Sequence, residues 1–195
     1  MDTIPLQFVR IIITGGFVLI GCGFLYGISS GHQQDLRLFN FLNLKLARMV
    51  PFYRLIWPLG KTPFMMIMLG VLYFTGWSSG FRATIIFGII ACLERLIKWV
   101  VKRQRPFFIV PDVQMSQPQQ PNDPSHPSGD AMRIWYLAFV IPMAFGLPIS
   151  ILLLLCSIAV LVSIGRISLG VHFPLDVIGG TGLGLVGAGI YQLWQ

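Results

Sequence analysis

Acidic residues are scarce in this chain. It has 7 Asp and Glu against 14 Lys and Arg, and charged residues make up only 11% of its 195 positions. So little charge cannot coat a water-soluble domain of this size, and a mean hydropathy of +0.75 places the chain among membrane proteins. Cysteine is nearly absent as well. Cys22, Cys92 and Cys156 each lie inside an apolar run, which argues against a disulfide framework. No CxxC pair is present to suggest zinc, so the three read as small packing residues. The chain carries no internal repeat and no stretch suited to a separate soluble domain. Its basic excess, net +7, does not suggest nucleic-acid binding, because the cations flank apolar segments. Basic membrane flanks, or a site for acidic substrates, account for it better.

What the chain has in quantity is apolar runs close to the roughly 20 residues that cross a bilayer. They predict one all-α integral membrane domain over residues 1–195, with six transmembrane helices at about 8–28, 62–78, 82–101, 130–147, 148–167 and 175–194. The first run lacks a basic leader and a small-x-small cleavage site, so a retained helix is expected there. Residues 38–58 mix apolar side chains with Lys45, Arg48 and Arg54, which suits an amphipathic helix lying in the interface. The polar, proline-rich residues 109–127 read as a loop, and Pro148 as a turn. The glycines of IGGTGLGLVGAG, in the last helix, allow close helix packing. His32 has no motif around it and reads as a loop residue.

Three short stretches carry chemistry: Lys98 to Pro106 (KWVVKRQRP), Pro127 to Asp130 (PSGD) and Gly165 to Asp176 (GRISLGVHFPLD). In a six-helix serpentine, the exit of the third helix, the entry to the fourth and the turn between the fifth and sixth share one membrane face. The stretches then meet in one interfacial pocket. Lys98, Arg105 and Arg166 form a cationic clamp for phosphate oxygens, with arginine's fork suited to two oxygens at once. Snorkelling at helix ends is the simpler account of Lys102 and Arg103. Ser128 and Gly129 open a helix, where backbone N–H groups offer an anion site; an ordinary N-cap is the bland alternative. His172 can attack phosphorus, and Asp176 can fix its tautomer and stabilise the imidazolium. The bland alternative is a capping Asp beside an interfacial His. Glu94, four residues before Lys98, is expected to pair with it, and both Glu94 and Arg95 to face the bundle interior or a pocket.

Together the motifs resemble the type 2 phosphatidic acid phosphatase superfamily, which includes vanadium haloperoxidases and bacterial acid phosphatases. The family pattern is Lys-x6-Arg-Pro, Pro-Ser-Gly-His and Ser-Arg-x5-His-x3-Asp. Here Asp130 stands where the family has histidine, and Gly165 where it has serine. The resemblance covers a catalytic core of about residues 82–180. It implies a six-helix membrane fold with the site at the membrane surface, and a phosphatase acting on a lipid phosphate or diphosphate through a phosphohistidine. Transfer to a lipid acceptor, or phosphate-lipid binding without turnover, are the alternatives.

Neither metal nor cofactor is expected, since the clamp supplies the electrostatics. The partners expected are the lipid phosphate substrate and membrane lipids. Phosphatidate, phosphatidylglycerophosphate, a polyprenyl diphosphate and a lipid A phosphate all fit. In the family, the histidine at position 130 donates the leaving-group proton. Three cations nearby favour an ionised Asp130, a poor acid at rest. Asp130 then serves only once substrate offsets those cations, or His126 supplies the proton, or the leaving group needs little help. The resemblance places the site on the periplasmic or outer face. Counting basic residues (Arg37, Lys45, Arg48, Arg54, Lys61, Lys102 and Arg103 against Arg10 and Arg82) points to the inner face.

Overall fold

Proline starts four of the helices that shape this protein. A computed structural model describes residues 6–111, 113 and 115–194, and every regular element among them is helical. The α-helices are α1 (Leu6–Gly23), α2 (Ser29–Lys45), α3 (Val50–Ile56), α4 (Thr62–Leu72), α5 (Trp77–Val101), α6 (Pro106–Ile109), α7 (Gly129–Phe145), α8 (Ile149–Ser168) and α9 (Pro174–Leu193). Pro51, Pro63, Pro106 and Pro174 occupy the first or second position of α3, α4, α6 and α9. There the missing N–H is one the helix would leave unpaired anyway. Ser128 caps α7, its hydroxyl accepting from the Ala131 N–H at 3.4 Å.

The centre of the bundle is the α7–α9 pair, whose side chains are buried over most of their length. Small residues let α1 lie against α9. A β-carbon at Gly182 would come 2.5 Å from the Gly16 carbonyl oxygen, and one at Gly23 would sit 2.8 Å from the Gly179 Cα. On another face Ile90 of α5 fills the space beside Gly187. The outward surfaces are apolar: Ile11 and Phe17 on α1, Ile89 and Trp99 on α5, and Leu153 and Leu154 on α8 are all exposed. Such surfaces suit lipid rather than water.

The helices expected from the apolar runs are present, with ends shifted by a few residues; α4 stops at Leu72 and continues as a 3-10 turn over Tyr73–Thr75. Length and composition qualify two helical stretches as membrane spans, Leu6–Gly27 and Ile149–Ser168. Ala47–Gly60 with Thr62–Thr75 makes a third if this pair, bent by 49°, is one span. The count of six is thus not reached by these criteria. Charged residues interrupt α5, α7 is only 17 residues long, and glycine dilutes the hydropathy of α9. Two local expectations change. The region 38–58 is not one helix but the end of α2, a 3-10 turn over Ala47–Met49, and α3. His32 lies within α2 rather than in a loop.

Candidate active site

The end of α5, the starts of α7 and α9, and the end of α8 converge at one end of the bundle. α5 ends at Lys102, which adopts a left-handed conformation (φ 49°). Beyond it, Arg103 and Arg105 are both buried. The turn from α8 to α9 passes through Gly170 at φ 74°, a geometry that suits glycine, and delivers His172.

His172 is 3% exposed. Its Nε2 lies 3.2 Å from Arg105 Nη1, and its Nδ1 lies 3.4 Å from Ser125 Oγ and 3.7 Å from Asp176 Oδ2. Asp176 is tied down from several sides. Its Oδ2 accepts from Ser125 Oγ at 2.5 Å and from the Phe173 N–H at 2.9 Å, and its Oδ1 accepts from Arg103 Nη1 at 2.7 Å. Arg103 also donates to Asp35 Oδ2 at 2.5 Å, and its guanidinium lies 4.1 Å from the Tyr26 ring centre and 4.4 Å from that of Phe173. Asp35 in turn accepts from the Leu175 N–H at 3.0 Å. Burial lowers the His172 pKa to about 4, helped by the neighbouring Arg105 and opposed by Asp176. The ring is therefore neutral near pH 7, with Nδ1 toward the carboxylate and Nε2 toward the cleft.

A narrow cavity of about 80 Å³ opens beside His172, lined among others by Lys61, Lys98, Arg105, Asp123, Asp130 and Arg133. Two carboxylates organise its cations. On one wall Lys98 pairs with Glu94 at 2.7 Å and with Asp123, and Arg105 gives Nη2 to Asp123 Oδ1 and Nε to the Asp123 carbonyl, each at 2.8 Å. Partial burial would raise the Asp123 carboxyl, but Lys98 and Arg105 outweigh it and hold the group well below the usual carboxylate range. On the other wall Asp130 accepts from Lys61 Nζ and Arg166 Nη1 at 3.0 Å each and from Arg133 Nη2 at 2.7 Å. Both oxygens of Asp130 are thus occupied by cationic donors, as an ionised carboxylate's would be.

The structure gathers Lys98, Arg105, Gly129, Asp130 and His172 around the cavity, with Arg166 fully buried behind Asp130 and Asp176 behind His172. Ser128 and His126 take other places. The Ser128 hydroxyl is spent on its own helix, and its N–H donates to the Asp176 carbonyl at 2.9 Å. The His126 ring packs between Phe24 and Tyr26, with Nδ1 3.3 Å from Asp176 Oδ1. It is not among the residues lining the cavity. Glu94 meets the pairing expected of it, and Gly129 leaves room for it: a β-carbon there would come 2.7 Å from Glu94 Oε1. The two departures from the family pattern have local partners. Asp130 has its three cations, and a β-carbon at Gly165 would lie 2.9 Å from Tyr53 Cδ1.

Two expectations are corrected. Arg103 is no snorkelling residue but a buried bridge between Asp35 and Asp176. Arg95 does not face the interior; its side chain is 73% exposed, 4.0 Å from Asp123. Lys61, Asp123, Ser125, Arg133 and Asp35 escaped the sequence reading because no motif marks them. A signal did exist in the scarcity of acid. Each of the five Asp and Glu residues with described surroundings (Asp35, Glu94, Asp123, Asp130 and Asp176) belongs to this polar cluster. Among the described residues no group of three or more His, Cys, Asp or Glu is placed to hold a metal ion.

The chain is similar to known proteins. The family model of the PAP2 superfamily matches residues 79–195. The undecaprenyl-diphosphatase of Sulfolobus acidocaldarius is 37% identical over 105 residues, 54% of this chain and 50% of that protein. Phosphatidylglycerophosphatase B of Bacillus subtilis is 31% identical over 125 residues, 60% of this chain and 58% of that protein. The matches thus span little more than half the length of these curated relatives. The crystal structure of Aquifex aeolicus LpxE superposes with a TM-score of 0.71 at 27% identity, covering 82% of this chain and 94% of that one. The crystal structure of a transmembrane PAP2 type phosphatidylglycerolphosphate phosphatase from Bacillus subtilis gives a TM-score of 0.74 at 22% identity, covering 94% of both chains, a likeness of fold. With the family match covering more than half of its length and the Lys-x6-Arg-Pro and Arg-x5-His-x3-Asp residues meeting at one cluster, the chain belongs to the PAP2 superfamily.

Proposed function

We propose that the protein hydrolyses a lipid phosphate or diphosphate in a membrane through a phosphohistidine at His172. The carrying observation is the setting of that ring, with Nε2 beside Arg105 at the cavity and Nδ1 toward Asp176 and Ser125. Nε2 attacks phosphorus while Lys98 and Arg105 stabilise the charge gathering on the equatorial oxygens, with Arg166 adding positive charge from behind Asp130. Asp176, fixed by Arg103, stabilises the imidazolium that forms. Water then releases phosphate and restores the ring. Asp123 must yield its two cations to the incoming phosphate, an exchange its loop position permits.

In this reading α1, α4, α5, α7, α8 and α9 all cross the bilayer and the site lies at the periplasmic or outer face. The basic-residue count that points inward loses two members, because Arg103 and Lys61 are bound to site carboxylates and so do not report orientation. The test is phosphate release by detergent-purified protein from a panel of lipid phosphates and diphosphates. His172→Ala is expected to abolish it, on the order of 10³-fold or more. Full release by that variant overturns the mechanism. Binding of phosphate lipids with no turnover by the wild type favours a binding protein instead.

A further inference from the structure

The two walls of the cavity carry different net charge. Lys98 and Arg105 face two carboxylates, Glu94 and Asp123, and that wall is balanced. Lys61, Arg133 and Arg166 share Asp130, and that wall keeps a positive excess. Two of its cations reach solvent, with side chains 23% exposed at Lys61 and 16% at Arg133, while Arg166 is wholly buried. Both accessible groups line the same cavity as His172. The Arg133 guanidinium is aimed by its Nε bond to the Gly60 carbonyl at 2.7 Å, and Lys61 Nζ lies 5.0 Å above the Trp57 ring.

A second observation concerns the proton that an ester would need. Cleaving a phosphate monoester expels an alkoxide, which departs readily only if protonated. Asp130 offers no proton while both its oxygens accept from cations. Asp123 is engaged in the same way with Lys98 and Arg105. The His126 Nδ1 lies 3.3 Å from Asp176 Oδ1, and the residue is not among those lining the cavity. Among the described residues, no carboxylic acid or imidazolium is left to face the cavity. A leaving group that is itself a phosphate needs no proton; it needs positive charge to receive it, and the Asp130 wall has that charge in excess.

We propose that Lys61 and Arg133, with Arg166 adding positive charge from behind Asp130, form a second anion subsite for the non-transferred phosphate of a lipid diphosphate, so that the protein cleaves phosphoanhydrides in preference to phosphate monoesters. This rests on the phosphohistidine reading above. The terminal phosphorus bonds to His172 Nε2 as its bond to the bridging oxygen breaks. The electron pair stays on that oxygen, which leaves as part of the lipid monophosphate beside Lys61 and Arg133. The ring keeps its Nδ1 proton and carries imidazolium charge toward Asp176. Water then bonds to phosphorus, the nitrogen–phosphorus pair returns to Nε2, and both water hydrogens depart with the orthophosphate.

The test compares farnesyl diphosphate with farnesyl monophosphate, which share one tail, using the detergent-purified full chain. The expected result is a kcat/KM at least tenfold higher for the diphosphate, with one orthophosphate released per molecule and farnesyl monophosphate accumulating. Lys61→Gln and Arg133→Gln should each lower that preference at least tenfold, and Lys61→Arg and Arg133→Lys should keep it. Inorganic pyrophosphate should raise the unfolding temperature of the wild type more than orthophosphate does. That readout needs neither turnover nor a folded variant. Equal cleavage of the two substrates, a preference unmoved by both glutamine variants, or equal protection by the two anions overturns the proposal. Release retained in His172→Ala breaks the underlying mechanism instead, and no release of phosphate from either substrate breaks both.

Discussion

The two walls of the cavity hold their cations by opposite means. Asp130 sits in the first turn of α7, 5% exposed, and gathers side chains from three other places: Lys61 ahead of α4, Arg133 one turn on in α7, and Arg166 at the end of α8. Asp123 lies on the irregular segment between α6 and α7, with its side chain 30% exposed, and holds Lys98 and Arg105. One carboxylate is part of the helical frame and the other lies on an irregular segment, the one that the proposed mechanism requires to give way. A site for anions can thus be prearranged by internal anions, provided that one of them gives way.

The most severe way to break that contrast is Asp130→Ala. It strands the wholly buried Arg166 beside Lys61 and Arg133, and a loss of about 3–5 kcal/mol in unfolding stability is expected, measured by denaturant titration in detergent. Asp130→His should fare no better, because it removes the same negative charge. His172, where the walls meet, gives a pH test. Its pKa falls from an unfolded value near 6.5 to about 4 in the fold, so the folded state binds fewer protons between those limits. Stability is therefore fully present above pH 6.5 and declines as pH falls toward 4, with a slope of at most about 1.4 kcal/mol per pH unit from this group. His172→Gln should flatten that window. The acid limb of kcat/KM should likewise sit near pH 4 rather than 6.5.

Gly165→Ser tests the rigid wall from behind, since Tyr53 of α3 presses on α8 one residue before Arg166. Overpacking there should cost about 1–3 kcal/mol. Combined with Tyr53→Ala, it should add less than its separate cost, as a double-mutant cycle would reveal. The smallest stability effect is expected from Asp123→Asn, because Lys98 keeps Glu94, Arg105 keeps the position-123 carbonyl, and the 30% exposed amide can still accept from one cation. Its signature lies in binding: with the competing charge gone, orthophosphate should inhibit at lower concentration. An unchanged inhibition constant would show that Asp123 does not occupy the phosphate's place.

Motif spacing marked Lys98, Arg105, Arg166, His172 and Asp176, because each pair or trio lies within one short stretch at a helix end. Apolar runs revealed α1, α5, α7, α8 and α9 for the same local reason. α2 stayed hidden because its sequence, SSGHQQDLRLFNFLNLK, is too polar to read as a span and too short of apolar periodicity to stand out. The partners that neutralise the cations were illegible for another reason. Asp35 and Arg103, or Lys61 and Asp130, are 68 and 69 residues apart, and only tertiary packing brings such pairs together. Arg103 shows the hazard directly. Within KRQR it looks like one more cation at a helix end, and nothing local says that it turns inward.

Arg103 also joins the stretch that the family model matches to residues ahead of it. The stretch that matches the superfamily begins at residue 79, and it holds His172, Asp176 and the Lys-x6-Arg-Pro cations. The counterweights come from ahead of it: Asp35 clamps Arg103, Tyr26 stacks on it, Lys61 closes the Asp130 cluster, and the Trp57 carbonyl accepts from Arg166 at 3.1 Å. The first 78 residues are thus no detachable anchor. Under the mechanism proposed above, a swap of that segment between relatives would exchange the electrostatic surroundings of His172 while leaving His172, Asp176, Lys98 and Arg105 in place, which makes it the natural graft for altering the choice of substrate.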